Sequence, residues 1–276
     1  MPKFSSISNS ADSAIFASSR GEAVHAESSA TTVAAVAGIQ LDTTAASFGA
    51  GLFGECRGGG AGVVGRQVNA AAFGAGVAGD TAGSGSGVFG ASVGSGDGVK
   101  GVQNNPTSTG AGIVGEHIGG LTAGFFKGNV IVTGDVSFPG ADCAEEFTIQ
   151  GDALAEPGTV MVLSETGELV ACADAYDKKV AGVIAGAGSL RSGIIMGRQE
   201  DTGFRRQPIA LIGTVYCKAD ARHEAIAVGD LLTSSATYGH AMKASDPARA
   251  FGAVIGKAMA PLSEGVGLIP ILIALQ

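Results

Sequence analysis

Apolar positions between residues 49 and 115 recur in a six-residue frame. GAGLFG (Gly49–Gly54), GAGVVG (Gly60–Gly65), GAGVAG (Gly74–Gly79), GSGVFG (Gly85–Gly90), GDGVKG (Gly96–Gly101) and GAGIVG (Gly110–Gly115) start 11, 14, 11, 11 and 14 residues apart. The fourth position is always apolar: Leu52, Val63, Val77, Val88, Val99 and Ile113. The fifth varies through Phe53, Val64, Ala78, Phe89, Lys100 and Val114. Neighbouring side chains on a strand point to opposite faces. The fourth position is therefore read as facing a core and the fifth as facing outward, where Lys100 shows that a charge is admitted. Weaker copies extend the array upstream, at Ala23–Ala26 and Ala35–Gly38, and a last copy, Ala123–Gly128, closes it.

This pattern predicts a slender shaft that cannot stand alone. Glycine in a strand costs conformational entropy and contributes no packing, so it belongs where backbones approach closely. One dependable Val or Leu per copy is worth about 1.5–3 kcal/mol when buried. Ordering each of the 11 to 14 residues costs roughly 1–2 kcal/mol. Stacked coils or other chains must supply the missing burial. The expectation is a Gly-rich β shaft over 23–140, after an N-terminal segment 1–22. Three interwound chains are the first reading, and a single-chain solenoid the second. Its core is assigned to the six fourth-position residues.

The pattern changes after about residue 140. FTIQGD, TVMVLSETGELVACA, KKVAGVIAG, RSGIIMG, QPIALIGTVYCKA, VGDLLTSS and GAVIGKAMA are β-branched and apolar runs between turn residues. They predict short strands and an all-β domain over 141–276, with little helical periodicity. The apolar end GLIPILIALQ is read as a terminal strand, being too short to cross a bilayer as a helix. Two stretches match within this domain. Glu156–Val160 corresponds to Ala227–Leu231 and Gly182-Val183-Ile184 to Ala253-Val254-Ile255, both offset by 71. The match predicts a duplication, about 153–187 and 224–258, with Pro157-Gly158 and Val228-Gly229-Asp230 as structural turns.

Composition supports this division. The chain has 276 residues and 46 glycines, of which 30 lie in residues 1–140 and 16 after them. The glycines lack the every-third-residue spacing of collagen. The net charge is −8 with no run of Lys or Arg, so no nucleic-acid partner is expected. The start, MPKFSSISNSADSAIF, lacks the apolar core of a secretory signal. Cytoplasmic synthesis followed by assembly into a virion or particle is the expected setting, with no membrane span. Cys56, Cys143, Cys172 and Cys217 lie far apart without a C-x-x-C and read as buried free thiols. GAGVVG is also a literal G-x-G-x-x-G, but a dinucleotide site uses one such copy between a strand and a helix. Steps of 11 to 14 residues leave no room for a crossover helix, so the repeat reading excludes the nucleotide and no cofactor is expected.

The array leading into AGFFKGNVIVTGDVSF (Ala123–Phe138) resembles bacteriophage tail-fibre and neck-appendage shafts. GADCAEEF (Gly140–Phe147), with EPGTVMVL, AYDKKVAGVIAG and GDLLTSS, is similar to the C-terminal region of such proteins. Its Asp-x-Ala-Glu is similar to the motif opening the self-cleaving intramolecular-chaperone domain of some phage appendages. The resemblance implies a homotrimeric structural fibre attached to a virion or appendage baseplate, whose C-terminal domain sets the register of the three chains. A repetitive shaft with interchangeable copies can slip, so a globular end that fixes register makes physical sense. Autoproteolysis by the C-terminal module is the first alternative, and a glycan-binding adhesin or depolymerase the second.

The candidate chemistry is Asp142-Cys143-Ala144-Glu145-Glu146. A thiol beside carboxylates at a domain junction can drive an N-to-S acyl shift, with Cys143 as nucleophile and Asp142 and Glu145 beside it. The neighbouring acids disfavour the thiolate, and the family motif has an aromatic residue where Cys143 stands. The plainer reading is a solvated acidic turn with a buried cysteine. His25, His117, His223 and His240 show no metal-ligand spacing. Asp135 and Asp142 are a conceivable glycosidase pair only if they lie about 5–9.5 Å apart. Absence of Trp and the presence of only Tyr176, Tyr216 and Tyr238 argue against a broad aromatic sugar platform.

Overall fold

The computed structural model describes residues 24, 26, 34, 36, 37, 39, 50, 52–68, 75–82, 84–119, 122–151, 155–198 and 205–275. The expected segment 1–22, His25, Gly49, Gly51, Gly74 and half of the two upstream weak copies lie outside the described residues. The chain divides into two units, Met1–Ala123 and Gly124–Gln276.

In the first unit consecutive hexads meet glycine to glycine. A Cβ placed on Gly90 would lie 2.5 Å from the carbonyl oxygen of Gly98, and one on Gly98 would lie 3.1 Å from that of Gly90. The same reciprocal approach joins Gly54 to Gly62, Gly65 to Gly76, Gly79 to Gly87 and Gly101 to Gly112. The sixth-position glycine of one copy thus packs on the third-position glycine of the next. The next copy's fourth side chain lies over the same spot, as Val99 does at Gly90.

No described residue of this unit belongs to a strand. Among the described residues, the β ladder expected for the shaft is not formed within the single chain, and the copies touch through glycine backbone. Nor are the six fourth-position side chains enclosed by it. Leu52, Val63, Val77, Val88, Val99 and Ile113 are 62% to 73% exposed. Val63, Val77, Val88, Val99 and Ile113 each lie against the sixth-position glycine of the preceding copy and stay largely exposed.

The second unit holds the regular structure. Its strands are β1 (Asp142–Thr148), β2 (Val160–Leu163), β3 (Leu169–Ala171), β4 (Val180–Ile184), β5 (Ser192–Met196) and β6 (Arg206–Asp220). After these come β7 (Leu231–Ser234), β8 (Ala241–Lys243), the one-turn helix α1 (Pro247–Ala250), β9 (Val254–Ala258) and β10 (Val266–Ile273). All but α1 join one sheet, so the unit is essentially all-β. The helix exists because Asp246 caps it, accepting from Ala248 N and Arg249 N, with Pro247 in its first turn.

The long strand β6 is the spine. Residues 206–213 pair antiparallel with β1, and 213–220 pair antiparallel with β10. Gly213 sits at the exchange with φ +105, and a Cβ there would lie 2.5 Å from Ala141 O. The order β10–β9–β7–β8–β6, with β10 also paired to β6, closes a small barrel. From β6 the sheet also continues through β4 and β2 to β3, and β1 carries β5 on its other edge. Val160, Val183, Val215, Cys217, Leu232, Ile255 and Ile271 form one buried cluster. Ile149, Met161, Leu169, Ile184 and Ile209 form a second.

Candidate functional site

The cluster singled out in the sequence opens β1. It is a strand and not the acidic turn of the plainer reading. Alternation puts Asp142 and Ala144 inside and leaves Cys143 and Glu145 half-buried. Asp142 and Cys143 therefore point to opposite faces. Their shared peptide lies within a strand bonded on both edges, with Ser192 and Ile194 on β5 and Gly213 and Ile212 on β6 as partners. Glu145 lies near Gly197, and Glu146 pairs with Arg198 at 3.0 Å. Gly140 packs on the backbone of Ser192 and Gly193, which holds the chain where it enters the sheet.

Asp142 is only 7% exposed, and its Oδ2 has no hydrogen-bond partner. Burial pushes its carboxyl above the usual carboxylate range, and a hydrogen bond from Ser192 opposes that rise. Asp135, the other member of the conceivable glycosidase pair, is exposed.

The outward face of the same strands is apolar. Ile194, Cys143 and Ile212 are register partners across β5, β1 and β6. In the next row Thr214 of β6 faces Leu272 of β10, and Leu268 faces Lys218. Ile212 is 69% exposed, and Leu268, Leu272 and Met259 are each between 44% and 48% exposed. Met259 Sδ lies 3.8 Å from Thr214 Oγ1. Val136 and Phe138 join Ile194 and Ile212 in lining an open groove of about 360 Å³ on this side. This surface was missed in the sequence. The one available signal was GLIPILIALQ, a strand apolar at every position. A strand with one wet face usually alternates, whereas β10 is apolar throughout and still leaves Leu268 and Leu272 exposed in the single chain.

Only two of the four cysteines meet the expectation of buried free thiols. Cys172 and Cys217 are buried, Cys143 is half-buried and Cys56 is exposed. Burial pushes the Cys172 thiol up to about 11 and Cys217 higher still. His117 and His223 are exposed and His240 is partly buried. No cluster of three His, Cys, Asp or Glu residues suited to a metal occurs among the described residues.

Comparison with known proteins gives a narrow result. No protein family and no curated protein matches the chain. Among solved structures, it is similar to the pre-mature bacteriophage phi29 gene product 12. That likeness has a TM-score of 0.36 at 15% identity, over 55% of this chain and 23% of that one. It is also similar to the head fiber gp8.5 N base of bacteriophage phi29. There the TM-score is 0.26 at 16% identity, over 49% of this chain and 90% of that one. The chain spans about a quarter of the length of gene product 12. No helix among the described residues is long and apolar enough to cross a membrane.

Proposed function

We propose that this chain is a structural, fibre-like protein of a phage or phage-derived particle that assembles as a homotrimer. The carrying observation is the repeat. Consecutive copies are joined by reciprocal glycine contacts, while the always-apolar fourth side chain of every copy stays largely exposed. Among described residues before 140, one backbone–backbone hydrogen bond joins two of them, from Ser108 N to Asn105 O. Backbone polar groups and apolar side chains in register along a chain suit other copies of the same chain, which repeat at the same spacing.

The second unit is assigned the setting of register. Its outward face of Ile194, Ile212, Leu268, Leu272 and Met259 supports this assignment, being apolar surface of the kind that interfaces cover. Its internal duplication is supported by shared pairing. β2 pairs with both β3 and β4, and β7 with both β8 and β9. Register shifts fall at Met161/Val162 and Leu232/Thr233, again 71 residues apart.

Light scattering on the whole chain tests the reading. The expected particle has three times the chain mass, and a stable monomer overturns the proposal. Self-cleavage at Asp142–Cys143 requires that peptide to leave its two ladders. Intact-mass spectrometry after long incubation tests it, and full-length chains alone would reject it.

A further inference from the structure

The second unit carries another apolar feature around α1. A groove of about 290 Å³ is lined by Leu231, Ala244, Pro247, Ala250, Phe251 and Val254. Phe251 ends the helix and is 85% exposed, and Leu231 is 39% exposed. A phenylalanine ring left in water contributes little to folding. Here its backbone is held firmly. Asp246 caps the helix through Ala248 N and Arg249 N. The Tyr176 hydroxyl accepts from Asp246 N at 2.9 Å, and Arg249 Nη2 donates to Ala175 O at 2.9 Å. The Arg249 guanidinium sits 4.4 Å from the centre of the Tyr176 ring.

Tyr176 is the one non-glycine among the described residues with positive φ, at +60. A bulky residue in that region is strained, and strain persists only where the surroundings hold it. The chain therefore keeps a strained tyrosine to clamp the helix that presents Phe251. The charges beside the groove are also uneven. Its neighbouring acids are engaged: Asp246 is the cap, and Glu224 and Asp230 hold Lys243 at 3.0 and 3.2 Å. Its neighbouring lysines are not. Lys257 is exposed and is the register partner of Leu231, so the two share one face. The Lys178 stem lies 4.0 Å from where a Cβ on Gly252 would sit. Among the described residues neither ammonium has an ion-pair partner. On a chain of net charge −8, an apolar groove is thus edged by two unpaired cations.

We propose that this groove docks an extended acidic segment of another protein, anchored by a large apolar side chain. The anchor fills the groove and covers Phe251, as aromatic residues do at the centre of interfaces. Acidic side chains on either side of it meet Lys178 and Lys257. A small molecule buries most of its own surface in a pocket, and here it would leave the protruding ring wet, whereas an extended segment covers both. An anionic bilayer would repel the net negative chain as a whole. A single segment feels chiefly the charges within a Debye length of about 8–10 Å, and those are the two lysines. A second copy docking by the same face would oppose lysine to lysine. The site does not depend on the assembly proposed above.

Selection of a random dodecapeptide library on the full chain tests this. The enriched peptides should share Asp or Glu flanking a Leu, Ile, Phe or Trp. A synthetic peptide of that consensus, followed by fluorescence anisotropy, should lose affinity about thirtyfold with Phe251→Ala. Lys178→Glu with Lys257→Glu should weaken it further, and added salt should weaken it in the native chain. All three side chains are exposed, and matched thermal unfolding curves check that the variants are folded. Light scattering of Phe251→Asp should show the same mass as the native chain, whatever that mass is. Four results overturn the proposal: no acidic–apolar consensus, a consensus peptide that binds Phe251→Ala and the lysine variant as tightly as the native chain, a mass that falls with Phe251→Asp, or Phe251-dependent binding to phosphatidylglycerol vesicles in place of the peptides. The third makes the groove a contact between copies, and the fourth makes it a membrane contact.

Discussion

Asp142 and Asp220 look alike in the sequence, each at one end of a strand, yet their surroundings drive them in opposite directions. Asp220 accepts from Arg222 Nε at 3.0 Å, Arg222 Nη2 at 2.7 Å and Thr237 Oγ1. Arg222 holds the Asp220 carboxyl well below the usual range. Its folded pKa is depressed, so its contribution is present above the unfolded carboxylate value and is lost as pH falls through the folded one. Asp220→Asn should cost about 1–2 kcal/mol at pH 7, moderated because Arg222 is half exposed, and less in strong acid. Asp142 carries the reverse sign. Its folded pKa is raised, so the native state binds the proton more tightly and stability falls as pH rises through that value. Asp142→Asn should raise the melting temperature at pH 7, with the gain vanishing below the unfolded carboxylate value of 3.8. Thermal unfolding of both variants between acid and neutral pH checks the two signs. The thiols give a further prediction. Cys172 and Cys217 should react with a thiol reagent only after denaturation, whereas Cys56 reacts in the native protein. Spacing marked all four cysteines as unpaired, but burial is a property of what folds over them.

At the scale of elements, glycines of identical appearance in the array have different duties. Gly90 faces the backbone of Gly98, while a Cβ on Gly94 would meet nothing within 4 Å. Gly90→Ala should destabilise the array by about 1–3 kcal/mol, and Gly94→Ala should be neutral or slightly stabilising. Thermal melts of the pair decide it, and equal effects would sink the glycine-contact account. The hexad pattern made the sixth and third glycines visible as candidates for close approach. Which sixth glycine meets which third one depends on how consecutive copies lie together. β10 was legible because GLIPILIALQ is apolar and ends the chain. β1 was not, because Glu145-Glu146 reads as a solvated turn. Pairing to β5 and β6 makes it a strand, and Arg198 lies against Glu146.

For the whole molecule, the outward apolar surface separates assembly from folding. Ile212→Asp and Leu272→Asp place charges on exposed positions, so the fold of the second unit should survive. If three chains meet there, these variants should shift the light-scattering mass toward monomer or misregistered aggregates, with circular dichroism unchanged. An unchanged trimer would remove this face from the interface. The same logic applies to Val63, Val77, Val88 and Val99, exposed in one chain and invariantly apolar in pattern.

Local rules were enough to establish several features from the sequence. β-branched and apolar runs between turn residues, with little helical periodicity, marked the second half as all-β. The repeat outranked the nucleotide motif because its copies are too close to hold a helix. Other features depended on residues distant in sequence meeting in space. Gly213 lets β6 exchange β1 for β10, and that exchange creates both the barrel closure and the apolar outer face. Tyr176 meets Asp246 and Arg249 only because the loop before β4 folds back onto α1. Spacing records what each strand prefers, whereas the choice of neighbours follows from packing summed over the whole sheet.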